Sequence, residues 1–118
     1  MKTIGEIKLE TDVPVVVTDN QGFVTYINEC FTAVFGWSAE EITGQIITAI
    51  IPATFHDSHH LGFSRFLSTQ QSSILNHPLL LKGVTKDGRE IDVEHLIMAE
   101  QQQGQWVFMA ILRPVNPS

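Results

Sequence analysis

The sequence predicts an α+β fold, a single antiparallel sheet with short helices packed across one face. Three observations carry this. The elements run in the order strand, strand, three helices, then three strands. The connections among the last three strands are of hairpin length, which makes those strands antiparallel neighbours. Apolar residues alternate in the strand segments and recur every three to four residues between them. At 118 residues and 43% hydrophobic content, the chain can bury one core and makes one domain.

The first strand is the β-branched run "VPVVVTD", Val13 to Asp19, closed by the turn "DNQG" and answered by the alternating "FVTYIN". Asn28 then caps a short helix whose apolar residues Phe31, Val34 and Phe35 share a face, and Gly36 ends it. Ser38 with Glu41 three residues on is a capping-box pair, opening a second short helix that stops at Gly44. The apolar "ITAIIP" closes at Pro52. Thr54 is placed to cap a longer helix reaching about Leu67, with Asp57 in its first turn favouring the helix dipole. Pro78 bars a helix across "STQQSSILNHP", where His77 is read as a loop residue. The last strands are "LLLKGVT", "EIDVEHLIM" and "QWVFMAILRP", separated by the turns "KDG" and "EQQQG".

Seven basic against thirteen acidic residues leave a net charge of −6, without the basic stripe that neutralises phosphates. Nucleic acid and anionic membrane are therefore not expected as partners. No apolar run approaches the roughly 18 residues that span a bilayer, and "MKTIGEIKLE" lacks the apolar core of a signal peptide, so the expected location is the cytoplasm. The single cysteine, Cys30, is read as a half-buried thiol on a helix. No phosphate loop, nucleophile triad or paired carboxylates on an apolar face is evident, and the chain is not expected to be an enzyme.

The histidines carry most of the remaining chemistry. In "ATFHDSHHLGFSRF", helical spacing sets Phe55, His59, Phe63 and Phe66 on one apolar face, and His56, His60 and Ser64 on a wet one. His56 and His60 have the spacing of a zinc pair, but no glutamate or cysteine stands nearby to complete a site. In "EIDVEHLIM", alternation puts His95 with Ile91, Val93 and Ile97, opposite Asp92, Glu94 and Leu96. An unsatisfied polar group in that apolar row costs on the order of 1 to 3 kcal/mol, so His95 needs a partner.

In the order and spacing of "VVVTDNQGFVTYIN", "FTAVFGWSAEEITGQ", "IIP", "RF" and "KDGREIDVE", the chain resembles a PAS domain from about Val13 to Arg113. The resemblance implies a sheet of five antiparallel strands in the order 2-1-5-4-3, with short helices on one face around a ligand cavity. It divides the chain into a lead-in or cap (residues 1–12), a sensor domain (13–114) and a tail (115–118). It also implies a signal-transduction role, with a PAS homodimer and an output domain such as a histidine kinase, diguanylate cyclase or chemoreceptor as partners.

Within that family, "IPATFHDSHHLGFSRF" is similar to the corresponding segment of the haem-binding oxygen sensors of FixL type. Counting forward from Pro52 and back from Arg65 puts His59 on the position of the proximal haem ligand. The resemblance thereby implies b-type haem with His59 on the iron, a diatomic gas or a redox change as signal, and Arg65 against a propionate or in a surface ion pair. Phe63, Ile74, Leu79, Ile97 and Phe108 would line the pocket. The arginine those sensors carry on the distal side is replaced here by Leu79. For His95, the partners open are the iron as sixth ligand, a diatomic bound there, or a plain protein or water hydrogen bond. The reactive cysteine of photoactive flavin PAS domains is missing from "ITAIIP", although Trp37, Asn28 and Asn76 are placed to meet a non-covalently held flavin. The other reading is a cofactor-free or small-ligand module acting chiefly in dimerisation, with Ile4, Ile7 and Leu9 either its surface or a lead-in that covers the sheet.

Overall fold

The computed structural model of the chain describes residues 3–56 and 77–115. Its sheet is built from β1 (Val15–Thr18), β2 (Val24–Ile27), β3 (Leu79–Val84), β4 (Glu90–Gln102) and β5 (Gln105–Pro114). They lie in the order β2-β1-β5-β4-β3, and every neighbouring pair is antiparallel. Between β2 and β3 come α2 (Glu29–Phe35), α3 (Ala39–Ile42) and two 3-10 turns (Ile47–Ile50 and Ala53–Phe55); α1 (Ile4–Ile7) precedes the sheet.

Local chemistry fixes the hairpins. The Asp19 carboxylate accepts the backbone N–H groups of Gln21 at 2.9 Å and Phe23 at 3.0 Å, while Gly22 takes the left-handed conformation at φ 87°. The β4–β5 turn is tighter than "EQQQG" suggests. Gln102 pairs with Gln105, and only Gln103 (φ 52°) and Gly104 (φ 81°) form the turn, both left-handed as a two-residue type I′ connection requires. Glu100 to Gln102 consequently stay in β4. The helix caps follow the sequence: the Asn28 side chain accepts from Phe31 N–H, Gly36 ends α2 at φ 84°, and Ser38 and Glu41 close a reciprocal capping box.

The sheet has apolar residues on both faces. On the inner face Val16, Val93 and Leu112 meet Phe31, Phe35, Ile42 and Ile50 in one buried cluster. On the outer face Val15, Val17, Met98, Met109 and Ile111 meet Ile4 and Ile7 of α1 in a second. β1 is thus buried along its whole length, with Val16 in the first core and Val15 and Val17 in the second.

The helices between β2 and β3 lie on the inner face as expected, and α1 adds a cover on the outer one. Thr3 and Glu6 form its capping box, and the Ile4 N–H donates to Glu100 Oε2 at 3.0 Å. Ile4 and Ile7 are therefore core residues and not a free surface; Leu9, 79% exposed, remains outside. Of the helix expected from Thr54 to Leu67, only the beginning falls among the described residues. There Thr54 sits inside a 3-10 turn that has no side-chain cap, with Phe55 exposed and not on a buried face.

Candidate functional site

Register puts the sheet half of the candidate pocket together. His95 pairs with Leu79 on β3 and with Leu112 on β5; Ile97 pairs with Ala110, and Phe108 lies opposite Ala99 and Thr18. Because alternate residues of a strand share a face, Leu79, His95, Ile97 and Phe108 stand on the same side as Val93 and Leu112, facing the helices. The inner face has two zones. Val16, Val93 and Leu112 are closed off by the helices, whereas Leu79, His95, Ile97 and Phe108 are only half-buried. The second zone is the candidate ligand surface, and it is apolar apart from the imidazole.

His95 is held by its own strand. Its Nδ1 lies 3.0 Å from the Val93 carbonyl oxygen, and since a carbonyl only accepts, Nδ1 is the nitrogen that carries the proton. Burial lowers the proton affinity of the ring below the usual 6.5, and the Val93 bond offsets part of this. The imidazole is neutral at pH 7, with its second nitrogen, Nε2, presenting a lone pair.

Other sequence-derived site residues fare differently. His59, Phe63, Arg65, Ile74 and Asn76 lie outside the described residues. His56, assigned to a wet helix side, is half-buried and its Nε2–H donates to the Ile51 carbonyl at 2.6 Å, because the 3-10 turn folds the ring back over the preceding segment. His77 is exposed. Cys30 is half-buried on α2.

Asn28 is not free to meet a flavin. Its Oδ1 accepts from Val15 N–H and Phe31 N–H, both at 3.0 Å, and its Nδ2 donates to the carbonyls of Glu10 at 3.1 Å and Val13 at 2.8 Å. The amide is saturated as a brace between the lead-in, β1 and α2. No group of three or more metal-ligating side chains occurs among the described residues.

A concavity of about 410 Å³ lies between α2 and the β3–β4 turn, lined in part by Phe35, Gly36, Thr85, Lys86, Asp87 and Arg89. Its polar groups are already engaged. Thr85 Oγ1 donates to Asp87 and accepts the Arg89 N–H, Arg89 pairs with Asp87, and the Lys86 ammonium pairs with Glu41. Lys86 also stands 5.6 Å from the Trp37 ring centroid, and its backbone N–H donates to Phe35 O. Hydrogen bonding by Lys86 holds the Glu41 carboxyl down at about 2, helped by the Ser38 N–H. This cluster locks the helices to the β3–β4 hairpin. The sequence showed only the capping half of it, since Glu41 uses one oxygen locally and the other across a separation of 45 residues.

With that geometry established, the family is clear. The sequence model of the PAS fold matches residues 9–115, and the chain belongs to the PAS family. An uncharacterised protein of Azorhizobium caulinodans is 29% identical over 110 residues, covering 92% of this chain and 15% of its own length. The sensor protein FixL of Bradyrhizobium diazoefficiens is 27% identical over 89 residues, covering 75% of this chain and 17% of its own. The chain thus spans less than a fifth of the length of either relative. Among solved structures, the PAS domain of a Colwellia psychrerythraea protein superposes with a TM-score of 0.72 at 19% identity, covering 86% of this chain and 85% of that one. The fold and the sensory class follow from this.

Proposed function

We propose that this PAS domain is the sensory module of a larger signalling protein and takes b-type haem against the inner face of the sheet, with His59 as the proximal ligand. The observation that carries the reading is the half-buried, neutral His95 standing among Leu79, Ile97 and Phe108 on the ligand-facing zone. The donor set suits the group: an uncharged imidazole nitrogen in apolar surroundings is what haem iron accepts. The similarity to FixL, a sensor protein, and the register of His59 between Pro52 and Arg65 support the same reading.

Haem would supply an iron centre that binds a diatomic gas or changes oxidation state. The residues of the chain then have distinct tasks. Leu79, Ile97 and Phe108 would exclude water from the inner face, Arg65 would pair with a propionate, and β4, which carries His95, would pass a displacement to its ladder with β5. Downstream, an output domain such as a histidine kinase, diguanylate cyclase or chemoreceptor receives it, in a PAS homodimer. With Ile4 and Ile7 buried in the second core, the dimer contact falls on other surfaces than these.

The absorption spectrum of the purified, haem-reconstituted protein tests the proposal. A strong Soret band that is lost or shifted in His59→Ala is expected. A protein that takes up no haem, or whose spectrum is indifferent to His59→Ala, overturns it.

A further inference from the structure

Resting on the haem reading above, we infer that His95 is an axial ligand to the iron through Nε2, and is not a hydrogen-bond donor to a diatomic held there. The argument is one of proton count. Val93 O at 3.0 Å can only accept, so the proton of a neutral ring resides on Nδ1. That leaves Nε2 with a lone pair and no hydrogen to donate. A hydrogen bond to a bound gas would need an N–H at that position.

The surroundings favour this arrangement. The cross-strand neighbours of His95, Leu79 and Leu112, offer no polar side chain to turn the ring the other way. The charged residues of this part of the sheet, Lys82, Asp92, Glu94 and Arg113, alternate onto the opposite face and pair there as Lys82–Asp92 and Arg113–Glu94. Metal-bound histidines characteristically donate their other N–H to a carbonyl or carboxylate, which fixes the tautomer and aims the ligating nitrogen. The Val93 carbonyl already holds that position.

The experiment uses the full chain reconstituted with haem, in parent, His95→Leu and His95→Gln forms, with thermal melts followed by circular dichroism to confirm that each variant folds. The parent is expected to give a six-coordinate, low-spin ferric spectrum. Both variants should retain haem but shift to high-spin, and added imidazole should restore the low-spin bands in His95→Leu. A high-spin parent, or a haem-bound variant with the parent's spectrum, overturns the axial role while leaving haem binding intact. A parent that takes up no haem overturns both readings together.

Discussion

Single side chains in this domain brace distant backbone, and Asn28 does so most completely. Replacing it by alanine removes an N-cap and strands the Val15 N–H and the Val13 carbonyl. A cap is worth about 1 kcal/mol and an orphaned buried group about 1 to 3, so Asn28→Ala is expected to cost roughly 2 to 4 kcal/mol in urea unfolding. Asn28→Asp keeps both accepted bonds and should lose less. Gly83 is constrained by space. A Cβ there would sit 3.2 Å from Phe35 Cε1 and 3.3 Å from Val93 Cγ2, inside the first core. Gly83→Ala should destabilise by roughly 1 to 3 kcal/mol, the usual penalty for overpacking, read from the same unfolding midpoints. The Asn28 cap was legible in the sequence because caps are local. Its bonds to Glu10 and Val13 were not, since they depend on where the lead-in crosses. Gly83 looked like an ordinary strand residue, because close approach of a helix ring is a property of packing.

The elements differ in how much of their role the sequence disclosed. Hairpins and capped helices were readable, because Asn, Asp, Gly and Ser act on backbone within a few residues. α1 was missed as a helix although "TIGE" carries a capping-box signature, Thr3 to Glu6, since a helix of 4 residues has almost no periodicity. Its value lies in packing. Ile7 has no exposed surface and sits in the second core, so Ile7→Ala should cost roughly 2 to 5 kcal/mol, whereas Leu9→Ala should leave the unfolding midpoint almost unchanged. Equal effects at the two positions would mean that α1 does not cover the sheet. The tie between α3 and the β3–β4 turn has a pH signature. The Glu41 carboxyl is lowered from 4.5 to about 2, so the native state binds its proton less readily than the unfolded state. Its contribution is present above about pH 4.5 and is lost as pH falls toward 2. Glu41→Gln should therefore flatten the acid limb of the stability curve in that window and leave its shape near pH 7 alone.

At the scale of the whole molecule, the sheet is a partition between two cores and carries a half-buried, candidate ligand surface at one end. β1 and the Met109–Leu112 part of β5 carry buried side chains on both faces, while the β3 end of the sheet has Leu80 64% and Leu81 45% exposed. His95 stands where the closed zone meets the open one. The same strand also holds the end of β5: Val93 pairs with Pro114, and the Val115 N–H donates to the Asp92 carbonyl at 2.9 Å. His95 therefore stands two residues along β4 from the point at which the chain leaves the sheet, so that under the proposed haem reading a pull on its ring would be applied beside that exit. The imidazole also makes the fold sensitive to mild acid. Burial depresses its proton affinity in the native state, so below about pH 6.5 the unfolded chain takes up a proton that the folded chain refuses. Stability falls as pH drops through that value, and the group contributes nothing to the slope above it. Urea midpoints of the haem-free protein at pH 7.5 and 5.5 should show a smaller loss in His95→Leu than in the parent, the difference isolating this ring from the other four histidines. An identical loss would mean that His95 titrates as it does in water, with the ring swung away from Val93 and the inner face open to solvent.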